Sequence, residues 1–161
     1  MGPSSGMGRL FDGIAAILGI KRRCSYEGQG AVLLEAAASA DDGVYNYTLD
    51  GAPLRFDWRD MIRGIVTDMN RGDDVGAIAA RFMNTLIDMA TRQCGAARSE
   101  TGLDSVVLSG GTFQNMYLMR RLPERLREAG FTVYHHSRVS TNDEGISLGQ
   151  LMVAQHQLER K

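Results

Sequence analysis

The sequence predicts an α/β fold: a large helical layer over the first two thirds, α+β in character, followed by a βαβα unit. Three observations carry this expectation. Apolar residues recur at helical spacing in four segments before residue 104. A strong hairpin signal, Asp50-Gly51, sits among them. Beyond residue 104, two short apolar runs, Ser105 to Leu108 and Phe131 to Tyr134, flank a helix-length segment, as in a parallel strand pair.

The elements follow in order. From Met7 to Leu18, the residues Leu10, Phe11, Ile14, Ala15, Ile17 and Leu18 line one helical face, and Gly19 closes it. Glu27 to Ala38 reads as a second helix with Gly28 and Gly30 in its first turns. Each glycine there costs about 1 kcal/mol against alanine, so close approach of a backbone or a ligand is expected in compensation. A hairpin spans 44–56, with Val44 to Leu49 and Pro53 to Phe56 as its strands. Asp57 is placed to cap a helix carrying Met61, Ile62, Ile65, Val66 and Met69, which stops near Gly72. Asp73 or Asp74 caps the longest helix, over about 75–98, whose broad apolar face makes it central to the helix layer. The methionines Met61, Met69, Met83 and Met89 read as core filler. A glycine turn, Ser109-Gly110-Gly111-Thr112, leads to a helix from Phe113 to about Glu128, with Pro123 starting a second helical segment. Asn142-Asp143-Glu144-Gly145 leads into a last helix with Ile146, Leu148, Leu151 and Val153.

Length and composition narrow the function. At 161 residues the chain is one domain with room for a real core. Residues 1–6 read as a cloning scar or disordered start, 7–104 as the helical part with its hairpin, and 105–161 as the βαβα unit. A net charge of -1 and a pI near 6.3 argue against a nucleic-acid partner held by phosphate neutralisation. No apolar run reaches the roughly 18 residues of a membrane span, and no secretory signal is visible. Cys24 and Cys94 lack metal or redox spacing, so a reducing cytoplasm is expected.

Few residues point to chemistry. Gly110 and Gly111 lie between a strand and a helix start, where a ligand ring or phosphate can rest against the backbone and the helix N-terminus offers N–H groups. An ordinary tight turn explains the same glycines. Asn115, one turn on, is placed to hydrogen-bond a ligand on that turn. Neither Gly-x-x-x-x-Gly-Lys nor Gly-x-Gly-x-x-Gly is present. Asp143 reads either as a helix cap or as a hard oxygen ligand for a metal. Asp12 and Glu27 are acids among small or apolar residues, able to accept from ribose hydroxyls or simply exposed. His135 and His136 are adjacent on a strand end and point to opposite faces, so they do not share one ion. No nucleophile elbow or triad is legible.

Four ordered motifs together carry a resemblance. They are Gly8-Arg9-Leu10-Phe11-Asp12-Gly13-Ile14-Ala15-Ala16-Ile17-Leu18-Gly19, then Ser25-Tyr26-Glu27-Gly28-Gln29-Gly30-Ala31, then Leu108-Ser109-Gly110-Gly111-Thr112-Phe113-Gln114-Asn115, then Asn142-Asp143-Glu144-Gly145-Ile146-Ser147-Leu148-Gly149-Gln150. In order and spacing they resemble the C-terminal part of the HypF-type hydrogenase maturation carbamoyltransferases, from about residue 5 to residue 154.

The resemblance implies an incomplete lobe of the actin-like ATPase (ASKHA) type. It implies ATP and carbamoyl phosphate as substrates, carbamoyl adenylate as the intermediate, and the C-terminal cysteine of a HypE-type partner as acceptor. Carried over by residue, Gly110, Gly111 and Asn115 cradle the adenosine, Asp12 reaches the ribose, Gly8 and Glu27 line the same pocket, and Asp143 is one ligand of a divalent metal. Two positions depart from the family: Glu144 stands where Asn-Asp-Gly-Gly is usual, and Met83 where a histidine is common. The family's metal-binding histidine pair and first phosphate loop lie upstream of these motifs. The chain is therefore expected to need the rest of its polypeptide, to be inactive alone, and to expose a face through which it can dimerise. A small-molecule O-carbamoyltransferase and a non-catalytic nucleotide- or partner-binding module are the competing readings.

Overall fold

The computed structural model of the chain describes residues 6–51 and 54–159. Helices α1 (Met7–Ile17) and α2 (Gln29–Ala37) form a packed pair. Phe11, Ile14 and Ala15 of α1 and Leu34 of α2 are buried, as the helical spacing requires. The pair meets at Gly30. A Cβ there would lie 2.9 Å from Asp12 Oδ1 and 3.3 Å from Ala15 Cβ, so a side chain would displace the Asp12 carboxylate and press on α1 by a few tenths of an ångström. The expected compensation for a glycine in this helix is thus the close approach of α1. Helix α2 starts two residues later than expected, because Gly28 has φ +80° and stands outside it as N-cap. Glu27 consequently lies in the loop.

Strands β1 (Thr48–Asp50) and β2 (Arg55–Asp57) pair antiparallel, with Asp50 opposite Arg55. The connection is therefore longer than the two-residue turn expected from Asp50-Gly51, and Pro53 lies outside the described residues. Asp57 belongs to β2 and is not the cap of the next helix. Trp58 takes that place, while Asp57 Oδ1 still accepts the Arg59 N–H at 3.0 Å. Helix α3 (Arg59–Arg71) ends at Gly72 as expected.

Helix α4 (Val75–Thr101) is the backbone of the core. Its 27 residues span about 40 Å, three residues beyond the expected stop, to Gly102. Asp74 caps it, accepting the Ala77 N–H at 2.9 Å. Phe82 of α4 and Phe11 of α1 meet edge to face, with centroids 5.1 Å apart, and both are buried. Met61, Met83 and Met89 are core, whereas Met69 is 36% exposed at the edge of α3.

Strands β3 (Ser105–Leu108) and β4 (Thr132–His135) pair parallel, Ser105 beside Thr132 and Leu108 beside His135, joined by helix α5 (Met116–Glu128). Residues Gly111–Gln114 form a 3-10 turn, so the α-helix begins at Met116 and not at Phe113. Pro123 does not restart a helix; α5 runs through it unbroken, with Pro123 buried beside Leu122 and Leu126. A second 3-10 turn, Asp143–Gly145, precedes α6 (Ile146–Glu159). Helix α6 is apolar as expected, yet none of its residues is buried.

Candidate functional site

One cleft of about 980 Å3 opens between the α1–α2 pair and the two 3-10 turns. Gly8 and Asp12 enter it from α1, and Glu27 from the loop before α2. Gly111 and Asn115 enter from the glycine turn, and Asp143 from the second turn. These four stretches are distant in sequence, and the fold brings them to one wall-lined space. Gly110 is the one predicted residue that does not line the cleft. Its backbone has φ +106°, a conformation that favours glycine, and its N–H donates to the Thr141 carbonyl at 2.8 Å. That bond holds the Asp143 turn against the glycine turn.

Asp12 has one oxygen 3.7 Å from the Arg9 guanidinium. The other, Oδ1, is enclosed against Gly30 and has no hydrogen-bond partner among the described residues. An enclosed carboxylate oxygen without a donor is costly, so this group is primed to accept from a hydroxyl or an N–H after a small rotation.

Asn115 is 8% exposed and its side chain is committed inward. Its Oδ1 accepts the Leu118 N–H at 2.9 Å, capping α5, and its Nδ2 lies 3.7 Å from Met83 Sδ. The other amides of the first turn of α5 are also taken: Glu35 Oε1 of α2 accepts from Met116 N at 2.8 Å and from Tyr117 N at 3.1 Å. This corrects the expectation that the helix start offers free N–H groups. A carboxylate already occupies the start of α5, so an anionic ligand finds no unpaired amide there.

Asn142 Oδ1 accepts the Glu144 N–H at 3.1 Å and so supplies the cap that Asp143 was alternatively read to be. The exposed Asp143 carboxylate is left for other work. Glu144 lies on the same rim. The cleft is lined by five carboxylates (Asp12, Glu27, Glu35, Asp143, Glu144) against one arginine, Arg9. Such a lining favours hydroxyl and amine donors, and repels a polyphosphate unless a cation accompanies it. Among the described residues no group of three or more His, Cys, Asp or Glu converges on one point. Asp143 therefore fits part of a divalent cation's oxygen shell and no more.

The histidines stand outside the cleft. His136 Nε2 lies 3.2 Å from Ser109 Oγ, and His135 Nδ1 is 3.2 Å from its neighbour's carbonyl oxygen. Cys24 is exposed on the cleft wall, and burial pushes the Cys94 thiol above its ordinary range.

Two features were not foreseen. One is Glu35, a single acid on a helix, whose partners lie more than eighty residues away and leave no local signal. The other is an ion cluster behind the site. Arg81 of α4 binds Asp41 through Nε at 3.1 Å and Nη2 at 2.8 Å, and Asp68 through Nη1 at 2.5 Å. Tyr45 Oη donates to Asp68 at 2.7 Å. The Arg81 guanidinium holds the Asp41 carboxyl below its usual range, and burial beside Asp68 pushes the Tyr45 phenol up. Asn84 Nδ2 donates to the Asp41 carbonyl at 2.8 Å, and Tyr117 Oη donates to Asn84 Oδ1 at 2.9 Å, so the cluster reaches the start of α5.

Comparison with known proteins follows the same outline. Residues 1–150 match the family model described as the carbamoyltransferase Kae1-like domain, second subdomain. Carbamoyltransferase HypF of Synechocystis is 35% identical over 153 residues, covering 92% of this chain and 19% of that protein. Carbamoyltransferase HypF of Rhodobacter capsulatus is 36% identical, covering 97% of this chain and 20% of that protein. The crystal structure of full-length HypF in the phosphate- and nucleotide-bound form superposes with a TM-score of 0.91 at 41% identity. The match covers 96% of this chain and 21% of that one. The chain thus spans about a fifth of the length of these relatives.

Proposed function

The chain belongs to the family of the carbamoyltransferase Kae1-like domain, second subdomain, and from that membership we propose that it is the nucleotide-side portion of a carbamoyl-transfer domain serving hydrogenase maturation. One observation carries the reading: four separated motifs line a single acidic cleft. In this proposal the cleft takes ATP and the carbamoyl adenylate made from it with carbamoyl phosphate. Asp12 and Glu27 accept from the ribose hydroxyls. The backbone at Gly111 lies under the adenine, Gly110 shapes the turn that presents it, Gly8 leaves room at the α1 end, and Asn115 fixes the turn by capping α5. Asp143 contributes one ligand to a divalent cation, which would neutralise phosphate charge in a carboxylate-lined space.

The residues of this chain thus bind and orient the nucleotide. The reaction itself passes the carbamoyl group to the C-terminal cysteine of a HypE-type acceptor. It needs the remaining phosphate and metal contacts to be held in line with that thiol. The reading therefore places the chain with the rest of a longer cytoplasmic enzyme and gives it no transfer activity alone. Turnover of ATP and carbamoyl phosphate by the isolated chain at the rate of full-length relatives contradicts it. No helix among the described residues is long and apolar enough to cross a membrane. The exposed apolar helix α6 is the proposed surface for self-association when no other part of the enzyme covers it.

Calorimetric titration with AMP and ATP tests the site. At Gly111 an added Cβ meets nothing within 4 Å, so Gly111→Val is accommodated by the fold and intrudes only on the cleft. Gly111→Val and Asp12→Ala are each expected to weaken binding about tenfold or more, a loss of about 1.4 kcal/mol. Equal binding by wild type and both variants sinks the reading.

A further inference from the structure

We propose that Glu35 is a positioning residue that latches the two walls of the nucleotide cleft together; this rests on the nucleotide reading of that cleft. Asp12 and Glu27 stand on the α1–α2 wall, and Gly111 on the wall that leads into α5. A ligand held between them feels their separation directly. Glu35 Oε1 bridges the walls by accepting two backbone N–H groups, from Met116 at 2.8 Å and Tyr117 at 3.1 Å. Both bonds carry a full negative charge onto the positive end of a helix, which makes them stronger than neutral ones. Because they end on backbone, the latch fixes the position of the main chain that carries the glycine turn, and not merely one side chain. Asn115 completes the same turn from the N-cap position before α5, accepting from Leu118 N at 2.9 Å. The first three amides of α5 are therefore satisfied by two side chains, and only Glu35 comes from the opposite wall.

Positioning through hydrogen bonds to backbone makes a distinctive demand. A glutamine at 35 keeps an acceptor oxygen in the same place and loses only the charge. An alanine loses the bridge. The test is AMP titration of the whole chain by calorimetry, with amide hydrogen exchange at Met116 and Tyr117 read in parallel. Glu35→Ala is expected to weaken AMP binding about tenfold and to speed exchange at those two amides, while Glu35→Gln stays within about threefold of wild type in affinity. Should Glu35→Ala lower the melting temperature, the glutamine variant and the exchange pattern still decide the matter. Glu35→Ala binding AMP as wild type does overturns the latch and leaves the nucleotide site standing. Folded Glu35→Gln losing as much affinity as alanine also overturns it, since the charge and not the bridge would then be what matters. Failure of the wild-type chain to bind AMP removes the nucleotide reading itself and the latch with it.

Discussion

Thr85 shows how one residue can decide whether a loop stays in place. It is fully buried on α4, and its hydroxyl works twice. It donates to the Arg81 carbonyl at 2.7 Å and accepts the Tyr45 N–H at 2.9 Å. The second bond ties the loop after α2 to the central helix. Valine has nearly the shape of threonine without the oxygen, so Thr85→Val preserves packing and strands the Tyr45 N–H. Leaving a buried donor without an acceptor costs about 1–3 kcal/mol, and urea denaturation of the variant is expected to show a loss of that size. A change within experimental error would mean that the Tyr45 amide finds water instead. Gly30 makes a companion point about space. The sequence marks it as a costly glycine in a helix, and the structure supplies the reason in the Asp12 and Ala15 atoms that crowd its empty face. The pattern predicts that something lies close by, but it does not name α1 as the neighbour, because that depends on how the helices pack.

Among the elements, those governed by local rules were legible and those governed by distant partners were not. The parallel pair β3–β4 and the helices α1, α3 and α4 follow from apolar spacing and from glycine or aspartate at their ends. The Asp57 cap and the restart at Pro123 failed because each rule describes what a residue permits. Asp57 is held in β2 opposite Thr48, and the buried face of Pro123 packs in an α5 that is already anchored on both sides. Asp12, Glu27 and Asp143, singled out by the ordered motifs, line one cleft. The Glu35 bridge and the Arg81 cluster join residues from different elements, so no spacing announces them. The cluster has a measurable signature. Asp41 is held below its usual range by Arg81, so its contribution is complete above the ordinary carboxylate range, near pH 4, and is lost as pH falls through its lowered value. Replacing Arg81 with methionine strips Asp41 of its guanidinium and leaves Asp68, only 6% exposed, with the more exposed Arg71 as its cation, 2.6 Å from Oδ1. Arg81→Met is expected to lose about 2 kcal/mol at pH 7, the scale of hydrogen bonds to charged groups. The gap to wild type should narrow as pH drops below about 4, where protonation of Asp41 removes its need for a cation. A gap that widens on acidification has the wrong sign and rejects the cluster as the cause.

At the scale of the whole molecule, the core and the last helix answer to different forces. The core gathers side chains of α1 to α5 and the strands around α4, and includes Phe11, Ile14, Leu34, Met61, Ile65, Phe82 and Leu126, each no more than 1% exposed. Helix α6 contributes nothing to it. Ile146, Leu148, Leu151, Met152, Val153 and Leu158 are between 45% and 73% exposed, an apolar surface all round the helix. An isolated helix of 14 residues is marginal in water, so α6 needs a surface to pack on that the other described residues do not provide. Two consequences separate cleanly. Deleting residues 146–161 removes no residue that is buried among those described, so the melting temperature of what remains is expected to shift by less than about 2 °C. The same deletion removes the apolar patch, so self-association of the intact chain, followed by sedimentation against concentration, is expected to disappear. A melting temperature lowered by about 5 °C or more would place α6 against the core in solution. Equal sedimentation of the two chains would show that α6 does not draw copies together, and that what it needs to cover it is a different surface.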